Sequence, residues 1–256
     1  MWIRKAKESG NKYMAKINIL GVQLDNLSKA EALNKVKEYL VGAGQHQIVT
    51  PNPEIILAAS RDREFFNILN RADLAVADGV ALKFAAWLKG KNLVRIAGAD
   101  LTQELLSLAE QAGKKVVIFN WRDGLSRREE ISRALADKYS KLAVLVVDIG
   151  RQEPVDFIQA NAFAPEIIFC TLGFPFQEKF IFYNLPNLPT AKIGLGVGGS
   201  FDFLTGKLPR APLWLRRIGL EWLWRLIKQP RRWKRIVKAV IIFPIKFLIY
   251  YFKKYD

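Results

Sequence analysis

Residue types that commonly build covalent staples or metal sites are scarce in this chain of 256 residues. It has one cysteine, Cys170, which excludes an intramolecular disulfide and fits an intracellular, reducing setting. It has one histidine, His46, so a zinc site made of Cys and His is not expected. No D-x-D run or other cluster of carboxylates is present to hold Mg²⁺ or Mn²⁺, so we expect neither a metal nor a cofactor.

Long apolar runs are also absent, because no stretch reaches the roughly 18–20 residues that a membrane-spanning helix needs. The closest is "AVIIFPIKFLIYYF" at 239–252, which is short, broken by Pro244 and charged at Lys246. We interpret it as a segment that lies on a membrane or packs on a partner. Residues 1–17 contain no apolar stretch long enough for the core of a signal peptide.

Positive charge is abundant and unevenly distributed, with 40 Lys and Arg against 24 Asp and Glu. From Lys207 onward there are 14 basic and two acidic residues, together with four of the seven tryptophans. We therefore predict two units, a body at 1–206 and a basic, aromatic tail at 207–256. The tail charge would suit a nucleic acid, an anionic membrane surface or a phosphate-bearing substrate.

The body alternates short β-type runs with amphipathic helical patterns, which predicts an α/β fold: a Rossmann-like, mostly parallel sheet with helices on both faces. The predicted strands are 16–20, 46–50, 74–78, 115–120, 142–148, 166–173 and 191–198. The predicted helices are 28–42, 53–71, 80–89, 99–112, 125–139, 153–163 and 175–184. Ser28 with Glu31 has the spacing of a capping box, and Asn52 before Pro53 is a good helix start.

In the tail, Pro212 and Pro230 each open a helical pattern. In the second pattern, Trp233, Ile236 and Val240 recur at helical spacing while most basic residues fall elsewhere. This predicts a basic amphipathic helical appendage whose composition suits a membrane interface.

Polar residues and glycines follow four of the predicted strands, at the ends where ligands bind in open α/β sheets. The four sets are Thr50 with Asn52, Asp78 with Gly79, Gln177 with Glu178, and the turn that contains Gly196, Gly198, Gly199, Ser200 and Asp202. Each set has a plainer explanation: a helix cap, an ordinary turn, a solvated helical turn and a common glycine-rich turn. Their combination in one order is more specific, and we expect them to gather on one rim of the sheet.

Several blocks resemble the WecG/TagA/CpsF glycosyltransferases, over about residues 16–240. They are "VTPNPEIILAA", "ADLAVADG", "RIAGADL", "LGFPFQEKF" and the block that runs from Gly196 to Arg235. The resemblance implies an inverting, metal-independent transfer of a sugar from a UDP-sugar to a polyprenyl-diphosphate-linked sugar. The first expectation is N-acetylmannosamine transfer to undecaprenyl-diphosphate-GlcNAc, in cell-surface polysaccharide synthesis, by an enzyme held peripherally on the cytoplasmic face of the membrane.

The resemblance also assigns roles to individual residues. Asp78 corresponds to the catalytic base, which takes the proton of the acceptor hydroxyl. The other residues that it places at the reaction are Thr50, Asn52, Arg95 and Gln177. Substrate binding is expected from Gly79, Gly196, Gly198 and Gly199, and from Arg225, Arg232 and Arg235, which would stabilise the departing diphosphate. For Asp100 and Asp202, a structural role in capping or bracing loops is expected at least as much as a role in the site.

Two departures from the family pattern concern the donor. The loop "NWRDGLS" at 120–126 keeps only Gly124 of a usually glycine-rich segment, and Ala81 replaces a glycine after Asp78. The donor sugar and the pathway therefore stay open.

Two other functions compete: a nucleic-acid-binding protein that uses the tail, and a Rossmann-type oxidoreductase, although the glycine turn lacks the dinucleotide spacing. An exposed apolar patch at the tail would suit a homo-oligomer.

Overall fold

The computed structural model describes residues 16–253, so the expectation about a signal peptide lies outside the described residues. Six strands form one parallel sheet in the order β4-β3-β8-β7-β5-β6, and the other two form a separate antiparallel hairpin, β1-β2. The strands are β1 (Lys16–Ile19), β2 (Val22–Asp25), β3 (His46–Val49), β4 (Leu74–Ala75), β5 (Val116–Trp121), β6 (Val144–Ile149), β7 (Ile167–Cys170) and β8 (Ile193–Gly196).

Helices connect the strands and continue into the tail. In the body they are α1 (Lys29–Val41), α2 (Pro53–Ala59), α3 (Arg63–Arg71), α4 (Val80–Leu88), α5 (Gly98–Gln111), α6 (Arg128–Lys138), α7 (Ile158–Phe163), α8 (Phe176–Asn184) and α9 (Ser200–Leu204). In the tail they are α10 (Leu213–Arg217), α11 (Glu221–Lys228), α12 (Trp233–Val237) and α13 (Phe243–Phe252), with a π-helical segment, Lys238–Ile242, between the last two.

The core lies on both faces of the parallel sheet, as the sequence predicts. Successive residues of a strand point to opposite faces, and in β5 Val116 and Ile118 pack against α1, α5 and α6 while Val117 and Phe119 pack against α7 and α8. The predicted fold class, a parallel α/β sheet with helices on both faces and a helical C-terminal segment, is therefore confirmed.

Local helix signals also act as predicted. Ser28 and Glu31 form a reciprocal capping box at the start of α1, and the Asn52 side chain accepts a hydrogen bond from the Ile55 N–H at 3.0 Å. Pro53 is the first residue of α2, where its missing N–H costs nothing. These contacts fix where the helices that follow β2 and β3 begin.

Two of the predicted elements differ from the structure in how they connect, and the helix predicted at 153–163 is shorter, since α7 begins at Ile158. The strand predicted at 16–20 lies outside the parallel sheet, because it turns at Leu20 and Gly21, both with positive φ, and pairs with β2. The helix predicted at 53–71 is two helices, since Asp62 starts a new one by accepting a hydrogen bond from the Phe65 N–H at 3.0 Å. No proline marks the end of α2, so the continuous helical pattern of 53–71 gave no sign that a second helix starts there.

The tail packs back on the body over the helices of one sheet face. Phe243 and Phe247 of α13 are fully buried in a core cluster that includes Leu57 and Leu82. The backbone does not break at Pro244; the π-helical segment precedes it and α13 continues beyond it. The sequence pattern places segment 239–252 on a membrane or on a partner. In the structure, one face of this segment packs against the body of the same chain.

No helix within 16–253 is long and apolar enough to cross a membrane. In the same part of the chain, no three His, Cys, Asp or Glu side chains are grouped so that they could hold a metal ion.

Candidate active site

A cavity of about 730 Å³ opens at the carboxyl ends of the parallel strands and is closed on one side by the tail. We call it the large cavity. Its wall contains Thr50 and Asn52 after β3, Asp78 after β4, Asn120 and Trp121 at the end of β5, Thr171 and Gly173 after β7, Gly196, Gly198 and Gly199 at β8, and Arg225, Arg232 and Arg235 from the tail. All four polar sets that follow predicted strands thus contribute to one cavity.

A second cavity, of about 370 Å³, adjoins the large one, and we call it the small cavity. Its wall is more apolar and combines α4 with the tail, through Val80, Phe84, Trp222, Ile236 and Val240. Five residues line both cavities: Asn52, Asp78, Arg225, Arg232 and Arg235. The two spaces therefore meet at one carboxylate and three guanidinium groups.

Asp78 stands at this junction. Its Oδ2 accepts a hydrogen bond from the Gly98 backbone N–H at 3.0 Å. Although the residue touches both cavities, the surrounding protein removes enough water to raise the pKa of Asp78 above its ordinary value; Gly98, Arg225 and Arg95 oppose that effect. A carboxylate with a raised pKa is a stronger base, so Asp78 suits proton abstraction.

Gly98 allows Asp78 and Thr50 to approach the same point. A Cβ at Gly98 would lie 3.1 Å from Thr50 Oγ1 and 3.5 Å from Asp78 Oδ2. Gly79 has φ of +128°, and a Cβ there would lie 2.9 Å from Pro53 Cδ. Glycine at these two positions keeps the backbone close to the carboxylate on both sides.

The tail arginines form a cluster with more positive than negative charge. Arg225 pairs with Glu221 at 2.8 Å, and Arg235 pairs with Glu54 at 2.7 Å. Arg232 makes no salt bridge within residues 16–253, and burial together with Arg235 and Arg225 lowers its pKa. A cluster with this excess of positive charge suits an anion such as a phosphate group, which would supply the missing negative charge.

The matches to known proteins fit this geometry. A model of the "Glycosyl transferase WecG/TagA/CpsF family" matches residues 17–256. The chain belongs to this family. It is therefore a glycosyltransferase, and of the three functions that the sequence left open, this membership supports that one.

Individual relatives carry one enzyme name. A protein of Staphylococcus aureus (strain MRSA252) is 31% identical over 241 residues, which are 91% of this chain and 92% of the relative. One of Bacillus subtilis (strain 168) is 33% identical over 193 residues, 74% of each chain. One of Bacillus spizizenii is 35% identical over 195 residues, also 74% of each chain. All three are named N-acetylglucosaminyldiphosphoundecaprenol N-acetyl-beta-D-mannosaminyltransferase.

Within this family member, Gln177 is held by the protein rather than left free in the cavity. Its Oε1 accepts hydrogen bonds from the backbone N–H groups of Gly173 and Gly198, at 3.2 and 2.9 Å. Its Nε2 donates to Glu178 Oε1 at 2.8 Å. Gln177 thus ties the turn after β7 to the turn after β8, and a Cβ at Gly196 would collide with it at 2.7 Å.

Glu178 supports that arrangement from within the core. It is 2% exposed, its Oε2 has no hydrogen-bond partner among the described residues, and burial raises its pKa to about 7. The plainer explanation of a solvated first helical turn does not hold for Gln177 and Glu178, because α8 turns both side chains inward.

Arg95 lies on the small cavity and not on the large one. Its guanidinium donates to the backbone carbonyl of Arg216 at 3.3 Å, so it also holds the tail. Asp100 braces the tail as expected, pairing with Arg210 at 2.6 Å and Arg216 at 3.5 Å. Asp202 accepts a hydrogen bond from Ser126 at 2.7 Å and lines the large cavity.

Several cavity residues escaped sequence reasoning. The loop 120–126 does contact the large cavity, and the guanidinium of Arg151 lies 3.7 Å from the centroid of the Trp121 ring. Arg151 lies two residues after the end of β6, and this position was the only signal for it. Glu221 was hidden among basic residues, although it lines the small cavity and raises the pKa of Asp78.

Proposed function

We propose that this protein transfers N-acetylmannosamine, or a closely related hexosamine or hexose, from a UDP-sugar to a GlcNAc attached to undecaprenyl diphosphate or a similar lipid. The reaction inverts the anomeric centre and uses no metal. One observation carries the proposal: Asp78 lies where two cavities meet, beside three arginines that line both. The names of the relatives support the sugar and the acceptor.

The two cavities differ in the way that the two substrates differ. The large cavity has glycine turns at which the backbone can approach a phosphate, and a polar wall suited to a nucleotide sugar. The small cavity leads from an apolar wall to the junction with Asp78, which suits a lipid-linked sugar whose hydroxyl must reach that carboxylate. The reacting atoms then meet at the junction, next to Asp78.

The reaction needs one proton transfer and one bond exchange. Asp78 takes the proton of the acceptor hydroxyl while its oxygen forms a bond to the anomeric carbon of the donor. The bond from that carbon to the β-phosphate oxygen breaks, and its electron pair leaves with UDP. Arg225, Arg232 and Arg235 stabilise the charge that develops on the diphosphate, in a site where such donors act strongly.

The tail has two roles in this proposal. It closes the site by contributing the arginines, and its basic and exposed apolar residues bind the anionic surface of the cytoplasmic membrane face, where the lipid acceptor resides. Trp233, Ile241 and Ile249 are each more than half exposed on the tail, which supports contact with lipid. The protein is then a peripheral membrane enzyme.

A donor screen tests the proposal. Purified protein is mixed with a water-soluble, short-chain GlcNAc-diphosphate-lipid and a panel of UDP-sugars, with a metal chelator present, and products are identified by mass. We expect one added N-acetylhexosamine from one preferred donor, and an inverted linkage by NMR. Failure with every UDP-sugar would contradict the proposed reaction, and product that requires a divalent metal would contradict the metal-independent mechanism.

A further inference from the structure

Helix α4 of the body exposes a row of large apolar side chains that the tail covers only in part, where Gly219 approaches Val80. Val80, Phe84 and Trp87 are 39%, 47% and 67% exposed, and their spacing places them along one side of the helix. The opposite side, with Leu82 and Ala86, is fully buried. The rings of Phe84 and Trp87 stack with their centroids 5.9 Å apart, so they form one continuous apolar surface.

This surface is continuous with the mouth of the small cavity. Phe84 and Val80 line that cavity from the body, and Val240, which is 37% exposed, lines it from the tail. Helix α13 packs against α4, and Ile245, Ile249 and Phe252 on it are more than half exposed. Apolar side chains from both units thus stand at the edge of one opening.

The small cavity is apolar at this mouth and charged at its inner end. The inner end, which is shared with the large cavity, carries Asp78, Arg225 and Arg232. A molecule that fits such a gradient has an apolar chain at one end and a polar, anionic head group at the other. Exposed apolar residues at an opening of this kind mark a site of contact with a partner or a membrane.

We infer that α4 is part of the membrane-binding surface, and that the acceptor's lipid chain reaches the small cavity between α4 and the tail. This inference rests on the proposed function, which supplies the lipid-linked acceptor. An anionic bilayer is the occupant that the charges favour, because α4 contains Lys83 and no acidic residue and the tail is strongly basic. Phe84 and Trp87 lie at the depth where the chain leaves the bilayer.

The test compares Trp87→Ser with Ile158→Ser in the full-length chain. Trp87 lines neither cavity, and Ile158 is a matched control because it is 73% exposed on α7, which packs near the opposite edge strand β6. Flotation with vesicles of phosphatidylglycerol and phosphatidylcholine measures binding. We expect Trp87→Ser to lower the partition coefficient roughly tenfold, as withdrawing one large apolar side chain from the bilayer should, and Ile158→Ser to leave it unchanged.

Activity gives the second measurement. Trp87→Ser should lower turnover of an acceptor embedded in vesicles and leave turnover of the water-soluble short-chain acceptor at the wild-type level. Equal vesicle binding by Trp87→Ser and wild type would overturn the inference. So would a wild-type dimer that Trp87→Ser converts to a monomer with unchanged vesicle binding, since the surface would then join two copies of the chain. If the wild type transfers no sugar at all, the proposed function fails, while the vesicle comparison still decides the role of α4.

Discussion

The Oδ2 atom of Asp78 accepts a hydrogen bond from the backbone N–H of Gly98 at 3.0 Å, at the point where the two cavities meet. Gly98 is the first residue of α5, whose free N–H groups lie at its start. The helix therefore orients the carboxylate without neutralising it, and burial still raises the pKa of Asp78. This pair of residues gives the site a fixed and unusually basic carboxylate.

Replacing Asp78 with Asn should remove the base while keeping its shape. We expect turnover to fall by a factor of about 10²–10⁴, the usual worth of general base catalysis, and the melting temperature to stay the same or rise, because a buried charge is removed. Steady-state kinetics and thermal unfolding measure the two effects. Asp123→Asn, in the exposed part of the loop after β5, is the control and should keep full activity.

The position of the acid limb of the pH–rate profile should depend on Arg225. In the proposed mechanism activity requires ionised Asp78, so the rate should fall as pH drops through its pKa. Arg225 lowers the pKa of Asp78 and Glu221 raises it. Arg225→Gln removes the positive charge and also leaves Glu221 without its salt-bridge partner, so both changes raise the pKa of Asp78. The limb of kcat/KM should move to higher pH in Arg225→Gln and stay near the wild-type position in Arg225→Lys. An unmoved limb in the Gln variant would show that Asp78 is not the titrating base.

Arg232 should affect activity and stability in opposite directions. In the proposed mechanism its loss removes a donor to the departing diphosphate, so Arg232→Ala should lower kcat by a factor of about 10²–10³ and weaken UDP binding, as measured by calorimetry. It also relieves repulsion from Arg225 and Arg235, so the melting temperature without ligand should not fall. Lys234→Ala is the control, because Lys234 is exposed and lines neither cavity. Comparable loss in both variants would argue against a specific role.

Glu178 should make the free energy of unfolding depend on pH. Its pKa rises from 4.5 to about 7 in the folded protein, so the native state holds the proton more tightly than the unfolded chain. Stability from this group is fully present below pH 4.5 and is lost as pH rises towards 7. Glu178→Gln keeps the acceptor for Gln177 without titrating, so relative to wild type it should gain up to roughly 3 kcal/mol between these limits. Parallel curves of the unfolding free energy against pH would contradict this.

The anchoring of the tail should depend on Phe247. It is 1% exposed in a core shared with the body, so Phe247→Ala should destabilise the protein by about 3–5 kcal/mol. The same variant should lose activity by loosening the arginine cluster. Phe252→Ala removes the same atoms from a side chain that is 61% exposed, and should change the unfolding free energy little. Urea unfolding curves of the two variants decide the matter.

Much of this protein follows from its sequence, because the signals involved are local or periodic. Alternating apolar runs predict the parallel sheet, and the Ser28 and Asn52 caps predict two helix starts. Since parallel strands end on one edge, the order of strands and polar residues also predicts that Thr50, Asp78 and the Gly196 turn share a cavity. The excess of positive charge after Lys207 predicts an unusual tail.

Only the tertiary structure determines the orientation of side chains that depend on contacts between distant segments. The inward orientation of Gln177 depends on glycines from two different turns, and Arg95 reaches a tail carbonyl 121 residues away. The burial of Phe243 and Phe247 depends on a surface formed by α2 and α4, and Lys16–Ile19 leaves the sheet because β2 lies close enough to pair with it. A periodic pattern records that a face is apolar; which surface covers it is determined by packing between segments far apart in the chain.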